Sequence, residues 1–451
     1  MKKEVNMLSG SIAKALLAIA LPIMVMNVLQ SIFNLIDSTI LKMYDTSGGY
    51  AVGAVGVCST LIVLITQLVT GISTGSNVVV AKALGKNDQE QVERAIGVSL
   101  LFSLVGGIFL LIVGLSCATL FLRWTNCSEI LLPQASLYFR LYFLAGPLII
   151  MYNFCAVILR ASGDTRRPMI FLTIGGIVKV LFTLLFVAVF KMQIVGVALA
   201  TIISWVVSFA LVFIALLRNE GVVKIKFSKI RFYKEEFKAI LMVGIPTALQ
   251  QSFFAIPNVV ISSAVNTFGP DATTGISIAN TFDGILYNIC LAPSLAIMPF
   301  ISQNLGANNL KRATKSISSG IFITIIIGVT FGALSAIFSA QLSSLMADSP
   351  VIIAYSRQKM IIISSTYFIC GINDLLTAAM RSMGKPITAT VCGFIFLCVL
   401  RFVWVYFIFP LLPTLTFLYL VWPIGWALSI IVLTLFVLHR IKQLKREPTL
   451  S

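Results

Sequence analysis

Four polar side chains interrupt an otherwise apolar run near the N-terminus: Asn27, Gln30, Asn34 and Asp37. Steps of three, four and three residues place all of them on one face of a helix. An ionisable group inside a membrane costs about 2.5–3.5 kcal/mol, so this face has to line a cavity or a helix contact. The pattern predicts a proton or cation site in which Asp37 titrates. A hydrogen-bonded seam between helices is the structural alternative.

Four further ionisable residues fall within apolar stretches: Lys179, Asp283, Asp374 and Arg401. Lys179 lies in the middle of its stretch, where its side chain reaches water with difficulty. It therefore needs an anion or a wet cavity, which either a functional role or a fixed structural pair would provide. Asp283 and Arg401 lie at similar depths, which predicts an ion pair between them. Asp374 is open to two interpretations, a proton relay or a carboxylate on a wet face.

The apolar stretches themselves predict membrane-spanning helices. Of the 451 residues, 58% are hydrophobic and 11% are charged, whereas soluble domains carry roughly 25% charged residues. The apolar blocks of about 20–30 residues are long enough to cross a hydrocarbon layer of ~30 Å. Because they lack strict alternation, helices are expected rather than a barrel, giving an all-α polytopic membrane protein. Twelve spans are predicted, at about 14–42, 51–83, 94–121, 134–161, 168–190, 194–217, 240–267, 275–304, 316–340, 352–380, 387–409 and 418–439.

The distribution of positive charge predicts the orientation. The formal net charge is +17, which in a soluble protein would suggest binding to nucleic acid. With the N-terminus placed inside the cell, most Lys and Arg residues lie at the inner ends of the spans, so the charge is interpreted as a topology signal. We therefore expect no nucleic-acid partner and a multi-pass protein of the plasma (inner) membrane with both termini in the cytoplasm. The basic linker 218–239 would lie near anionic lipid headgroups.

The two halves of the chain repeat. GKNDQEQVERAI, which starts at Gly85, aligns with GANNLKRATKSI, which starts at Gly306, and LPIMVMNVLQSIFN aligns with IPTALQQSFFAIPN. An even number of spans in each half gives both repeats the same orientation, and parallel repeats are a transporter architecture. The domains expected are a six-helix N-lobe at 1–217, the linker, and a six-helix C-lobe at 240–451.

The second repeat differs from the first at its polar positions. The seventh span carries Gln251 and Asn258, but it has Ile261 at the position that corresponds to Asp37. The acid in this helix is therefore present only in the first repeat.

Several kinds of site are not indicated by the sequence. The eight cysteines show no CxxC spacing, His439 is the only histidine, and no phosphate-binding loop is present. We therefore expect no metal, no cofactor and no enzymatic activity. Glycines within the spans, such as Gly71, Gly75, Gly106 and Gly107, are predicted to allow close packing between helices.

The chain resembles the multidrug and toxic-compound extrusion (MATE) family over nearly its whole length. The resemblance depends on short motifs in a fixed order around the predicted spans. These are FNLIDST (33–39), VVAKALGKND (79–88), LRASGDTRRP (159–168), IVGVALATIISW (194–205), VGIPTALQQS (243–252), ISQNLGANNLKRA (301–313), MRSMGKP (380–386) and YLVWPIGW (419–426).

The resemblance implies two six-helix lobes that exchange H⁺ or Na⁺ for organic, often cationic and aromatic, compounds. Asp37 matches the acid of the family's first helix. Lys179 stands where the family usually has Asn and Thr183 where it often has Asp, and Asn153 is placed in the same group of candidates. Because these departures reduce the oxygen ligands available to sodium, protons are favoured as the coupling ion and Na⁺ stays open.

Three classes of function compete. The first is a monomeric antiporter that exchanges small-molecule drugs for protons. The second is a flippase or exporter of a lipid-linked or amphipathic metabolite, or a drug antiporter coupled to sodium. The third is a membrane-embedded enzyme or receptor, which would need a nucleophile–base or metal cluster that the spans do not show.

Overall fold

The computed structural model describes residues 5–44, 50–125, 127–253 and 255–446, and the regular elements within these ranges are all helical. Within these ranges, ten helices are long and apolar enough to cross a membrane. Two further pairs of helices, each bent at a short break, bring the number of candidate spans to twelve. The predicted all-α polytopic fold is confirmed, and the chain is a multi-pass membrane protein.

The first six spans are formed by seven α-helices and one π-helical segment. They are α1 (Ile12–Tyr44), α2 (Tyr50–Gly85), α3 (Gln89–Trp124), α4 (Leu132–Leu144), α5 (Gly146–Ala161), α6 (Arg166–Thr183), the π-helical Leu184–Val189, and α7 (Gln193–Leu217). Helices α4 and α5 meet at 45° and make up the fourth span.

The last six spans contain the remaining helices. They are α8 (Lys234–Phe253), α9 (Ala255–Asn266), α10 (Pro270–Gly306), α11 (Leu310–Ile337), α12 (Ser339–Ser344), α13 (Pro350–Ser364), α14 (Tyr367–Ser382), α15 (Pro386–Gly393), α16 (Leu400–Val403), α17 (Leu415–Tyr419) and α18 (Val421–Arg446). Helices α13 and α14 meet at 46° and make up the tenth span, which corresponds to the bent fourth span of the first repeat.

The chain forms two compact units that follow the repeats closely. The first unit contains Val28–Leu84 and Asp88–Gly244. The second contains Val5–Asn27, Gly85–Asn87 and the chain from Ile245 onward. The division therefore falls within α1, and the linker belongs to the first unit.

The internal repeat is visible in two short loops. Asn87, before α3, and Asn308, before α11, both adopt left-handed backbone conformations, with φ of 56° and 54°. Asn tolerates this conformation better than most residues. The next residue in each loop, Asp88 or Asn309, accepts a hydrogen bond from a backbone N–H of the first helical turn. The aligned sequences at Gly85 and Gly306 thus encode the same turn and the same helix cap.

The linker is packed against the first unit rather than lying only at a surface. Val223 and Ile225 are 2% and 3% exposed and join a core cluster with residues of α3, α5 and α7. The Lys226 ammonium lies 2.6 Å from a carboxylate oxygen of Glu93 on α3. The sequence predicts a basic surface segment, and the buried apolar residues add a structural role that its charge does not indicate.

The fifth and eleventh spans depart from regular α-helix. The π-helical Leu184–Val189 follows Thr183 directly, and Phe394–Val399 and Trp404–Ile408 are π-helical on either side of the short helix that carries Arg401. Such segments occur mostly as bulges and often at functional sites. In both units these segments lie next to a residue that the sequence analysis identifies as a candidate, Thr183 in the first unit and Arg401 in the second.

Close helix packing at glycine is confirmed at Gly75 and Gly107 but not at Gly106. A Cβ atom at Gly75 would lie 2.1 Å from the carbonyl oxygen of Ile240, and one at Gly107 would lie 2.7 Å from the Cα of Pro147. A Cβ atom at Gly106 would meet nothing within 4 Å. Small residues therefore bring α3 against α5 on one face of the helix only.

We predict opposite effects for two neighbouring substitutions in α3. Gly107→Ala should lower the melting temperature in detergent by several degrees, because α3 and α5 would have to separate. Gly106→Ala is the matched control and should leave it unchanged or raise it, because alanine favours helix. Thermal unfolding of both variants, followed by fluorescence, gives the comparison. Equal melting temperatures would contradict the packing described.

Candidate functional site

Asp37 is the centre of a buried polar group between α1 and α6, and the residue is 5% exposed. The Lys179 ammonium lies 2.5 Å from its Oδ2 atom, and the Thr183 hydroxyl donates a hydrogen bond to its Oδ1 atom at 3.0 Å. Lys179 also donates to Oδ1 of Asn34 at 3.3 Å. The structure thus joins four of the sequence candidates into one carboxylate–ammonium pair with two neutral partners.

A glycine allows the two helices to approach at this site. A Cβ atom at Gly176 would lie 2.0 Å from the ring of Phe33. Asp37 follows Phe33 by one helical turn, and Lys179 follows Gly176 by one turn, so this contact holds the two charges side by side. Predicted span boundaries separate the charges by ~9 Å along the membrane normal at ~1.5 Å per residue, near the limit of a Lys side chain. The close approach of the helices lets them meet.

The pair is electrically neutral and largely removed from solvent. The side chains of Lys179 and Asp37 are 17% and 7% exposed. Removing one partner of a buried ion pair leaves the other charge uncompensated, which costs about 3–5 kcal/mol. The arrangement is therefore stable as a pair and sensitive to any event that neutralises one member, such as protonation of the carboxylate.

Three polar residues of the predicted group lie outside this cluster. Gln30 has an exposed side chain. Asn153 donates to the carbonyl oxygen of Ile149 in its own helix at 2.8 Å. Asn27 belongs to the second unit, where it donates to the carbonyl oxygen of Asn288 at 3.2 Å. The predicted polar face of the first span is therefore divided, and only its later part contributes to the Asp37 group.

A second buried ion pair lies in the second unit, and its partners differ from those predicted. Lys359 Nζ lies 2.8 Å from Oδ2 of Asp283, and it also hydrogen-bonds the side chain of Asn280. The prediction that Asp283 pairs with Arg401 is wrong. The sequence places Lys359 at an outer helix end, but its side chain is 4% exposed and turns inward to the carboxylate.

Arg401 has a neutral partner instead of an acid. Its guanidinium donates to Oδ1 of Asn258 at 2.9 Å, and its Cζ atom lies 5.4 Å from the centre of the Trp422 ring. Lys359 Nζ lies 5.8 Å from the centre of the same ring. One indole is thus flanked by two cations, both within the range of a cation–π interaction.

Asp374 belongs to a third group, in the middle of α14. The Asn373 side chain donates to its Oδ1 atom at 3.5 Å, and Arg381, further along the helix, donates to Oε1 of Gln250 at 2.7 Å. The side-chain oxygen of Gln251 is buried, and no hydrogen-bond partner is found for it among the described residues. The last two sequence candidates, Asp374 and Gln251, therefore stand apart from the Asp283 and Arg401 groups.

Sequence reasoning missed Lys359 and Trp422. A signal for Lys359 was available, because Ser356 and Ile363 lie three residues before it and four after it, and all three are buried on one face of α13. Trp422 has no comparable signal, since an aromatic residue near the end of a span is usual. As for metal sites, within 5–44, 50–125, 127–253 and 255–446 no three His, Cys, Asp or Glu side chains come together as ligands.

In the part of the chain that the structure describes, up to twelve candidate spans in two repeats enclose buried titratable groups, an arrangement typical of membrane transporters. The MatE family model matches residues 22–185 and 246–407. The chain therefore belongs to the MatE family, which is a family of transporters and not of enzymes.

Relatives from several bacteria are similar along most of their length. The probable multidrug resistance protein YpnP of Bacillus subtilis is 27% identical over 89% of each chain. The FAD transporter of Shewanella oneidensis is 23% identical over 87% of each. The solved outward-facing structure of a multidrug resistance MATE family transporter of the MOP superfamily superposes with a TM-score of 0.90 at 22% identity, over 99% of each chain. At that identity the structural likeness establishes the fold alone.

We expect a double-mutant cycle to identify the partner of Asp283. Asp283→Asn or Lys359→Gln alone should destabilise the protein, by about 3–5 kcal/mol, because each leaves a buried charge without its partner. The double variant should lose less than the sum of the two. Thermal unfolding in detergent measures the three variants against the wild type.

The control for this cycle pairs Asp283→Asn with Arg401→Gln. These two changes should be coupled much less strongly than Asp283→Asn and Lys359→Gln, because Arg401 contacts Asn258 and Trp422 and not the carboxylate. Additive losses for Asp283 and Lys359, or strong coupling between Asp283 and Arg401, would restore the pairing that depth alone suggested.

Proposed function

We propose that the chain is a secondary active antiporter that exports small organic, cationic or amphipathic compounds in exchange for protons by alternating access. It works as a monomer in the plasma membrane, with both termini in the cytoplasm. The observation that carries the proposal is the buried group of Asp37, Lys179 and Thr183 in the first unit. Relatives whose names record multidrug resistance support organic compounds as the cargo.

A proton on Asp37 would act as the switch. The 2.5 Å contact with Lys179 suits a carboxylate that carries its negative charge. Protonation removes the negative charge and leaves the Lys179 ammonium with Asn34 as a neutral partner, so the contact between α1 and α6 weakens. The equilibrium between two conformations of the first unit then shifts by the difference in free energy that protonation makes between them. Because proton and cationic substrate both compete with Lys179 for the same carboxylate, each lowers the affinity for the other, as antiport requires.

The same geometry disfavours sodium. A sodium ion needs several oxygen ligands, and here the carboxylate already accepts from Thr183 and contacts Lys179. A second cation placed ~4 Å from the ammonium would be repelled by about 4 kcal/mol at an effective dielectric constant of ~20. Protons avoid this repulsion, because protonation removes charge instead of adding an ion beside Lys179.

We predict that Asp37→Asn abolishes coupled export while the protein still folds. Asn has the same size and keeps one acceptor oxygen, but an NH2 group replaces the second oxygen, and the side chain cannot take up or release a proton. Efflux of a fluorescent organic cation from proteoliposomes measures the effect, with pH and sodium gradients imposed separately and the membrane potential clamped. Wild-type efflux should follow the pH gradient and ignore sodium, and the Asn variant should fall at least tenfold.

Asp271→Asn, an exposed acid in the first turn of α10, is the control and should transport as the wild type does. Normal gradient-driven efflux by Asp37→Asn would remove this carboxylate from the mechanism. Efflux that follows an imposed sodium gradient at constant pH would replace protons with sodium as the coupling ion.

A further inference from the structure

The charges of the second unit are unbalanced around one aromatic ring. The Trp422 cluster, defined here as Asp283, Lys359, Trp422, Arg401 and Asn258, contains two cations and one carboxylate. The carboxylate is bound by Lys359 at 2.8 Å. Among the described residues, no carboxylate oxygen lies within the 4 Å of an ion pair from Arg401, which leaves one positive charge without an acid.

An uncompensated guanidinium is costly at this position. Arg401 is 6% exposed and lies inside the eleventh span, Pro386–Leu411. Its contacts are the amide oxygen of Asn258 and the face of Trp422, both of which are neutral. A charged residue within a membrane span normally pairs with an opposite charge or faces a water-filled cavity. An anion that enters from such a cavity would supply the opposite charge.

The side of the cluster that carries Asn258 is open. Asn258 is exposed, and so is Ser262 one turn later on α9. Exposed polar side chains inside a span mark a surface that meets water rather than lipid. Because Asn258 presents its oxygen to Arg401, its amide N–H groups are directed elsewhere. The accessible surface thus offers an amide donor, and the buried guanidinium of Arg401 lies directly behind it, in contact with both Asn258 and Trp422.

We propose that the Trp422 cluster binds the carboxylate of an aromatic, amphipathic substrate. The carboxylate accepts hydrogen bonds from the Arg401 guanidinium and the Asn258 amide, and the aromatic part of the substrate packs near Trp422. Planar guanidinium suits a planar carboxylate because two parallel hydrogen bonds can form. The inference rests on the proposed export function, and it adds an acidic group to the chemistry of the cargo.

Equilibrium binding to the purified protein tests the site without any gradient. Three probes share one ring system and differ in charge: 2-naphthoate, 2-naphthamide and 2-naphthylmethylammonium. We expect the wild type to bind 2-naphthoate at least about tenfold more tightly than the neutral amide, since a charge-assisted pair replaces a neutral hydrogen bond. Calorimetric titration in nanodiscs at constant ionic strength measures the three affinities.

Two variants locate the effect at Arg401. Arg401→Gln should remove the preference for 2-naphthoate and leave 2-naphthamide binding unchanged. Asn258→Asp supplies an internal carboxylate that pairs with Arg401, so it should weaken 2-naphthoate binding at least about tenfold while raising the melting temperature. This second variant keeps the test decisive if Arg401→Gln does not fold. Arg446→Gln, an exposed cation at the end of α18, is the matched control and should bind as the wild type does.

Two results would contradict the proposed carboxylate site. One is equal affinity of the wild type for the three probes, and the other is tight 2-naphthoate binding retained by Asn258→Asp. A failure of the proposed export function is separate from either result. If 2-naphthoate binds selectively but efflux ignores the pH gradient, the site stands and proton coupling fails. If efflux follows the pH gradient and the three probes bind equally, proton coupling stands and the carboxylate site fails.

Discussion

The ion pair between Asp37 and Lys179 is the interaction on which the rest of the first unit depends. Neither charge is stable alone inside a membrane span, and the 2.5 Å contact makes the two neutral as a pair. Forming it requires α1 and α6 to approach closely, which Gly176 permits against Phe33. It also requires Thr183 to face the carboxylate where the α-helix passes into a π-helical segment. The π-helical segment after Thr183 and the small residue Gly176 thus both help to bring partners to the Asp37 carboxylate.

The two units solve the same problem in different ways. In each, a cation on the fifth span of the repeat hydrogen-bonds an asparagine on the first span, Lys179 with Asn34 and Arg401 with Asn258. Only the first unit adds an acid, because Ile261 occupies the position in the second repeat that corresponds to Asp37. The first unit is therefore suited to exchange a proton. The second unit keeps an unmatched positive charge that suits an anionic ligand.

Composition and spacing were sufficient to predict the architecture. Blocks of apolar residues and a scarcity of charge follow from the membrane itself, and the loop motifs at Gly85 and Gly306 follow from the internal repeat. The twelve spans and the family could therefore be inferred from sequence. The residues near Asp37 were also identified, because the spacing of polar residues along the sequence shows that they share one helical face. Whether they touch depends on how far two helices approach, which a single glycine decides.

The ion-pair partner of Asp283 in the second unit could not be predicted from the depths of the charged residues in the membrane. Asp283 and Arg401 lie at similar depths, yet depth does not specify the direction in which each side chain points around its helix. Lys359 lies close to Arg357 in sequence and therefore looks like part of a basic helix end. The rotation of α13 turns it into the bundle, where it neutralises Asp283. The position of a charged side chain depends on its depth in the membrane and on the direction in which it points around its helix. From sequence, only a strictly periodic pattern indicates that direction.

Proton release on substrate binding tests the coupling role of Asp37 most directly. Reciprocal linkage requires that a substrate which competes with a proton displaces it when it binds. Purified protein in a weakly buffered solution with a pH indicator is brought to starting pH values low enough to protonate the Asp37 carboxylate, and titration with a transported organic cation then gives the number of protons released. We expect up to about one proton per substrate in the wild type, independent of sodium, and none in Asp37→Asn. No release by the wild type, or the same release by the Asn variant, would contradict the role assigned to this ion pair.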